Sequence, residues 1–314
     1  VDQIVSNQIA SIERVEAGLA SAGYIPSRQI CTALFLAIRL QKPILVEGPA
    51  GVGKTELAKA TASFLDLPLV RMQCYSGLDE SKALYEWKYG KQLLYTQILR
   101  DKLAATFADT GSLDEAMKKL GDTGELFFSE QFLEPRPLLR ALREPRGCVL
   151  LVDEIDKADE EFEAFLLEIL SDYTVTVPEL GTQHAVVPPI VLLTSNNTRD
   201  LGDAMKRRCL HLHIGYPEPK LEERIIATRV PGVHESLRRQ LVSYVQQLRG
   251  MDLRKLPSVS ETIDWARALL LLHAHDLEPA LVRDTLNVLL KFEADMEAVG
   301  PKVGELTHKA RDAA

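Results

Sequence analysis

The chain has 314 residues, 46% hydrophobic and 26% charged, a globular composition long enough for one large domain or two modest ones. Its formal net charge of -8 argues against a nucleic-acid coat or an anionic membrane surface as the main partner, since both select basic faces. No apolar run reaches the roughly eighteen residues that a bilayer span needs. The start, VDQIVSNQIASIERVEAG, lacks the pattern of a secretory leader, so the chain reads as cytoplasmic. The four cysteines, Cys31, Cys74, Cys148 and Cys209, show no paired spacing for zinc or redox work and predict buried free thiols.

In chain order, the first forty residues predict helix, with Ile30, Leu34, Ala37 and Ile38 at spacings of three and four. The apolar PILVEG, closed by a glycine, predicts a buried strand. Leu57, Ala58, Thr61, Phe64 and Leu65 then lie on one face of a helix, and LPLVRMQC predicts a second strand. Strand, crossover helix and strand imply a parallel sheet covered by helices, an α/β fold. Residues 75–145 mix helical runs such as QLLYTQILRDKLAATF with glycine breaks at Gly111, Gly121 and Gly124. A third strand, CVLLVDE, is followed by a helix carrying Phe162, Phe165, Leu166, Ile169 and Leu170. YTVTVPELGTQHAVVPPI predicts a hairpin, and IVLLTSNN another strand. Beyond CLHLHIGYPEPK the strand signal ends, Pro217 and Pro219 mark a linker, and Leu237, Leu241, Tyr244, Val245 and Leu248 announce helix. The expected division is a core over residues 1–216 and a helical unit over 217–314.

GPAGVGKT has the spacing of a phosphate-cradling loop between a predicted strand and a predicted helix. Its candidate nucleotide-binding residues are Gly48, Pro49, Ala50, Gly51, Val52, Gly53, Lys54, Thr55 and Glu56. Glycines let main-chain N–H groups curl around phosphate oxygens, the helix start adds positive potential, and Lys54 places a point charge on the terminal phosphates. Thr55 offers a hydroxyl to Mg²⁺. Asp153 and Glu154, at the end of the third strand, supply two further roles: Asp153 holds Mg²⁺ through water, and Glu154 orients and deprotonates the attacking water. Asn196 ends the next predicted strand, where its amide reaches that water or the terminal phosphate. Lys206, Arg207 and Arg208 cluster shortly afterwards; a guanidinium presented across a subunit boundary stabilises charge developing on a transferring phosphoryl group.

With glycine loop, LLVDE, hairpin, TSN and paired arginines in this order, the chain resembles an AAA+ ATPase, and within that superfamily the MoxR family. YEWKYGKQLL, RPLLRAL and VPELGTQHAVVPPIVLLTSNNTRDL look closest to its CoxD-like branch, and the similarity runs from about residue 25 to residue 272. The resemblance implies an αβα sandwich with a parallel sheet, a smaller α-helical lid, an insert in helix 2, a hairpin before Asn196, and a ring of six subunits. It implies ATP and Mg²⁺ as cofactors, Lys54 and Thr55 as Walker A, Asp153 and Glu154 as Walker B, Asn196 as sensor 1, and Arg208, with Arg207 as alternate, as the arginine finger. Where many relatives carry a sensor 2 arginine, this chain has Glu261 and Thr262 in PSVSETIDWAR; Arg267, further along, is the candidate substitute. The resemblance further implies a partner with a von Willebrand factor A domain and a client metalloenzyme, for the CoxD-like branch of the molybdenum-containing carbon monoxide dehydrogenase type. The rival readings are a nucleotide-gated scaffold without productive turnover and a nucleic-acid motor.

Three features carry less weight. Tyr85, Trp87 and Tyr89 alternate either to grip a substrate in a pore or to bury one face of a short strand, and aromatic burial favours the strand. His211 with His213, and His273 with His275, have spacings a metal can use, but nothing completes either set. DKAD at 156–159 is superficially similar to a guanine-reading motif, but it stands directly after the paired carboxylates and cannot reach a base from there, so ATP is the expected nucleotide.

Overall fold

In the computed structural model, which describes residues 9–95, 97, 129–178 and 180–313, the branched apolar runs form the sheet and the amphipathic segments cover it. Helices α1 (Ile12–Ser21) and α2 (Arg28–Leu40) lead into strand β1 (Ile44–Glu47), helix α3 (Lys54–Leu65) and strand β2 (Leu69–Gln73). Helix α4 (Glu80–Leu84), strands β3 (Tyr85–Trp87) and β4 (Leu133–Pro135) and helix α5 (Pro137–Arg143) precede β5 (Val149–Asp153) and α6 (Glu160–Asp172). The hairpin β6 (Thr174–Val177) and β7 (Gly181–His184) leads to β8 (Ile190–Ser195), α7 (Asp203–Arg208) and β9 (Leu210–His213). Then come α8 (Pro219–Arg229), α9 (Glu235–Arg249), α10 (Val259–Leu271), α11 (Pro279–Leu289), α12 (Glu293–Val299) and α13 (Val303–Asp312). Most of QLLYTQILRDKLAATF, together with Gly111, Gly121 and Gly124, lies outside the described residues.

The main sheet has five parallel strands in the order β2-β5-β8-β1-β9. Alternate strand residues feed two separate cores, which is why the strands read as continuous apolar runs. On one face Leu45, Val70, Leu150, Val152 and Leu193 pack with Leu138, Leu142, Phe162 and Leu166. On the other Ile44, Val46, Val149, Leu151 and Leu192 pack with Leu19, Leu34, Leu57 and Leu65. Each such buried side chain contributes about 1.5–3 kcal/mol against about 0–1 for a surface ion pair, so burial makes the sheet a stiff platform. A third apolar cluster, around Leu241, Tyr244, Val245, Leu248 and Trp265, is built wholly from residues 226–310.

Outside the main sheet, β3 pairs antiparallel with β4. This buries Trp87 at 7% exposure and packs Tyr85 partly against the core, as burial favoured, but leaves Tyr89 exposed at 65%, beyond the end of β3. The four cysteines are free and buried. Among the described residues no helix is long and apolar enough to cross a membrane.

Candidate nucleotide-binding site

Parallel register brings the chemistry to one edge. Glu47, the last residue of β1, stands opposite Ser195, and Gln73 opposite Asp153. The glycine loop, the carboxylate pair and Asn196 therefore leave the sheet at the carboxyl ends of neighbouring strands, where ligands settle in open α/β sheets.

The loop's geometry depends on glycine. Gly48 has φ +146, and a Cβ there would lie 2.0 Å from the Ile214 carbonyl oxygen, a backbone atom that cannot move aside cheaply. Gly53, at φ 100, is the N-cap of α3 and leaves that helix's first N–H groups without a capping side chain, the arrangement that suits anions. Gly48→Ala is therefore expected to cost about 2 kcal/mol or more and to abolish nucleotide binding, as read by thermal unfolding and nucleotide titration.

Lys54 is only 6% exposed. Its three N–H groups go to the carbonyls of Gly48 (2.6 Å) and Pro49 (2.7 Å) and to Asn196 Oδ1 (2.8 Å). Burial pushes the ammonium below its ordinary value, against the pull of Asp156, Asp153 and Glu154. Asn196 turns its Nδ2 to Glu154 Oε1 at 3.1 Å, so one amide spans the lysine and the carboxylate. Thr55 Oγ1 donates to Asp153 Oδ1 at 3.1 Å, and Thr194 Oγ1 donates to the same oxygen at 2.6 Å while accepting from the Glu154 N–H at 2.9 Å. Glu154 adopts φ 57, ψ 52, a left-handed backbone that costs a non-glycine residue about 1–2 kcal/mol and is sustained only by its surroundings.

Two neighbours, Arg71 and Gln73, lie outside every motif of the sequence. Arg71 on β2 donates to Asp153 Oδ2 through Nε (3.1 Å) and Nη2 (2.6 Å), and to Gln73 Oε1 at 2.9 Å. Gln73 in turn donates to Glu154 Oε2 at 2.7 Å, and Lys157 pairs with the same oxygen at 2.6 Å. Hydrogen bonds thus run in one continuous chain from Lys54 through Asn196, Glu154, Gln73, Arg71 and Asp153 to Thr55. The only available signal was the alternation of polar residues in LVRMQ, which places Arg71 and Gln73 on one face of the strand. Asp156 is buried behind them. Burial works to raise its carboxyl, but the Thr198 hydroxyl and N–H, donating to Oδ2 at 2.6 and 3.0 Å, help to hold it below the usual range. That contact fastens the loop that carries Asn196.

Beside the loop lies a cavity of about 570 Å³ whose walls include Tyr24, Gly51, Gly53, Glu56, Tyr216 and Ser260, a size that suits a nucleoside-scale ligand. Val52 also lines it, whereas Ala50 is exposed and outside it. Glu56 pairs there with Lys59 and Arg229.

Two groups of candidates are not brought to the loop. Arg207 and Arg208 end α7, just before β9 starts at Leu210 opposite Ile44, whereas the loop leaves β1 beyond Glu47, opposite His213. They stand roughly 10 Å along the strand direction from the phosphate end, and Arg208 Nη1 donates to Ser171 Oγ. Arg267 pairs with Asp264 at 3.2 Å and is absent from the cavity wall. The paired histidines are exposed, and no cluster of three metal-binding side chains occurs among the described residues.

A strand, glycine loop and helix, with the carboxylate-bearing strand β5 one strand away across β8, define a P-loop nucleotide-binding core of the AAA+ type. The AAA domain of the dynein-related subfamily matches residues 43–209, more than half of the chain, and the protein belongs to that family. An uncharacterized protein of Staphylococcus aureus (strain NCTC 8325 / PS 47) is 25% identical over 271 residues, covering 83% of this chain and 89% of its own. Among solved structures, one from Cytophaga hutchinsonii ATCC 33406 shares 14% identity at a TM-score of 0.49, over 99% of this chain and 96% of its own. The Thermotoga maritima RuvB Holliday junction branch migration motor shares 18% at 0.44, over 86% and 69%.

Proposed function

We propose that this AAA+ protein is a Mg²⁺-dependent ATPase of MoxR type that assembles into a ring, six subunits by family resemblance, and uses turnover to remodel a partner protein. The observation that carries the ATPase reading is the convergence of Lys54, Thr55, Asp153, Glu154 and Asn196 at one sheet edge, beside a cavity of nucleoside size. In this reading residues 1–216 are the catalytic core and residues 217–314 the lid; the separate apolar cluster within the latter supports the division.

The donor set fits the metal. Thr55 Oγ1 and the Asp153 carboxylate, 3.1 Å apart, are hard oxygen ligands suited to a cation that keeps several waters and takes the rest of its shell from phosphates. When bound, Mg²⁺ neutralises charge on the terminal phosphates. Asp153 Oδ2 is already engaged by Arg71, which favours its role through water. Lys54 exchanges its carbonyl partners for phosphate oxygens, Asn196 positions the attacking water, Glu154 takes its proton, and Arg208, or Arg207, reaches the γ-phosphate of the neighbouring subunit.

The partner assignment, a protein with a von Willebrand factor A domain and a client metalloenzyme, rests on the MoxR resemblance. The acidic net charge of -8 weighs against a nucleic-acid motor. Purified protein is expected to release phosphate from ATP over many turnovers and to stop when Mg²⁺ is chelated. Tight ATP binding without turnover would instead establish a nucleotide-gated scaffold, and stimulation by DNA at moderate salt would establish the motor. Capture of a von Willebrand factor A domain protein in the presence of ATP is the matching test of the partner.

A further inference from the structure

The sequence carries Glu261 and Thr262 where relatives place a lid arginine, and both turn out to be inward-facing. Glu261 closes a capping box with Ser258, its carboxylate accepting from the Ser258 N–H at 2.8 Å while Ser258 Oγ accepts from the Glu261 N–H at 3.3 Å. Lys255 braces that carboxylate at 2.8 Å. Thr262 joins a buried network in which Arg249 makes a forked pair with Glu222 at 2.7 and 2.8 Å. Arg249 also bonds the Pro257 carbonyl at 2.8 Å and stacks on Tyr216 with its guanidinium carbon 4.6 Å from the ring centre. Arg249 is thus neutralised inside the helical region, Arg267 is paired on its surface, and Arg229, which does line the cavity, faces Glu56 at 3.4 Å.

What touches the glycine loop instead is the first turn of α10. The Ser260 N–H donates to the Gly51 carbonyl at 3.1 Å, and its hydroxyl donates to the same oxygen at 3.3 Å. The fit is close: Gly51 has φ +75, and a Cβ there would lie 2.5 Å from Ser258 Oγ. In a planar trans peptide the C=O and the following N–H point in opposite directions. Anchoring the Gly51 carbonyl on Ser260 therefore turns the Val52 N–H away from α10. Main-chain N–H direction is what lets such a loop cradle phosphate oxygens.

We propose that Ser260 is a positioning residue for the phosphate loop, and that the helical region contributes to nucleotide affinity through this contact with Gly51. The inference rests on the ATP-binding reading above. Its test titrates wild type, Ser260→Ala and Ser260→Thr with a fluorescent ATP analogue, with melting temperatures measured in parallel. Losing one of the two donors is expected to weaken binding about 3- to 10-fold with an unchanged melting temperature, and threonine, which keeps the hydroxyl, is expected to restore it. Equal affinity in wild type and Ser260→Ala would overturn the proposal. A drop in affinity that tracks a drop in melting temperature and is not restored by threonine would overturn it too, by assigning Ser260 a merely structural role. Wild-type protein that fails to bind the analogue would refute the nucleotide reading itself, an outcome separate from both.

Discussion

Glu154→Gln is expected to leave ATP bound while turnover falls by about 10²- to 10⁴-fold, the range that a positioned general base supplies. Glutamine keeps the length of the side chain and one acceptor oxygen, so the contact with Asn196 Nδ2 or that with Gln73 Nε2 survives. It cannot take up a proton. Lys54, Thr55 and the cavity are untouched, which separates binding from chemistry. The left-handed backbone at Glu154 is equally open to glutamine, so folding is not at stake. The check is phosphate release under multiple turnover, alongside retention of labelled ATP at equilibrium. Turnover at the wild-type rate would remove Glu154 from the role of base.

Glu154 is held from several sides. Gln73, Asn196 and Lys157 all donate to its carboxylate, and Gln73 is itself held by Arg71, which also clamps Asp153. In the proposed role of base, a carboxylate gripped in this way is oriented before the water arrives, the preorganisation that electrostatic catalysis depends on. The two carboxylates are adjacent in sequence yet served differently. Asp153 is braced by a guanidinium and two threonine hydroxyls, while Glu154 has amide donors and one surface ammonium.

How much of this was legible follows from where each signal resides. Lys54, Thr55, Asp153, Glu154 and Asn196 each sit in a short motif at the end of an apolar run, and strand ends in a parallel sheet meet at one edge. Arg71 and Gln73 were illegible because their role depends on β2 lying beside β5, and the order β2-β5-β8-β1-β9 is a property of crossovers that local periodicity does not record. The contact between Ser260 and Gly51 spans 209 positions, so neither residue carries a local mark of it. Glu261 was legible as a departure from a family pattern. Its capping of α10, with Ser258 three residues before it, has an S-x-x-E signature, but that signature says nothing of the glycine loop on which the same turn rests.

Arg208→Ala is expected to lower turnover about a thousandfold, the lower end of the range for an arginine finger, while ATP affinity stays at the wild-type level. In the proposed ring the guanidinium acts on another subunit, a reading that its position supports: α7 ends beside the start of β1, and the glycine loop begins at its finish. No side-chain rotation brings Arg208 round the sheet edge to its own Lys54. On that proposal a complete site needs Glu154 from one subunit and Arg208 from the next. Mixing Arg208→Ala protein with Glu154→Gln protein, each nearly inactive alone, should restore measurable turnover, because an Arg208→Ala subunit supplies an intact Glu154 and its Glu154→Gln neighbour an intact Arg208. If the arginine worked within its own chain, no mixture of the two would contain a complete site, and activity would stay at the background of the separate variants. Running the same mixture with Arg207→Ala in place of Arg208→Ala distinguishes the two neighbours, since only the variant that lacks the working guanidinium begins inactive and is rescued.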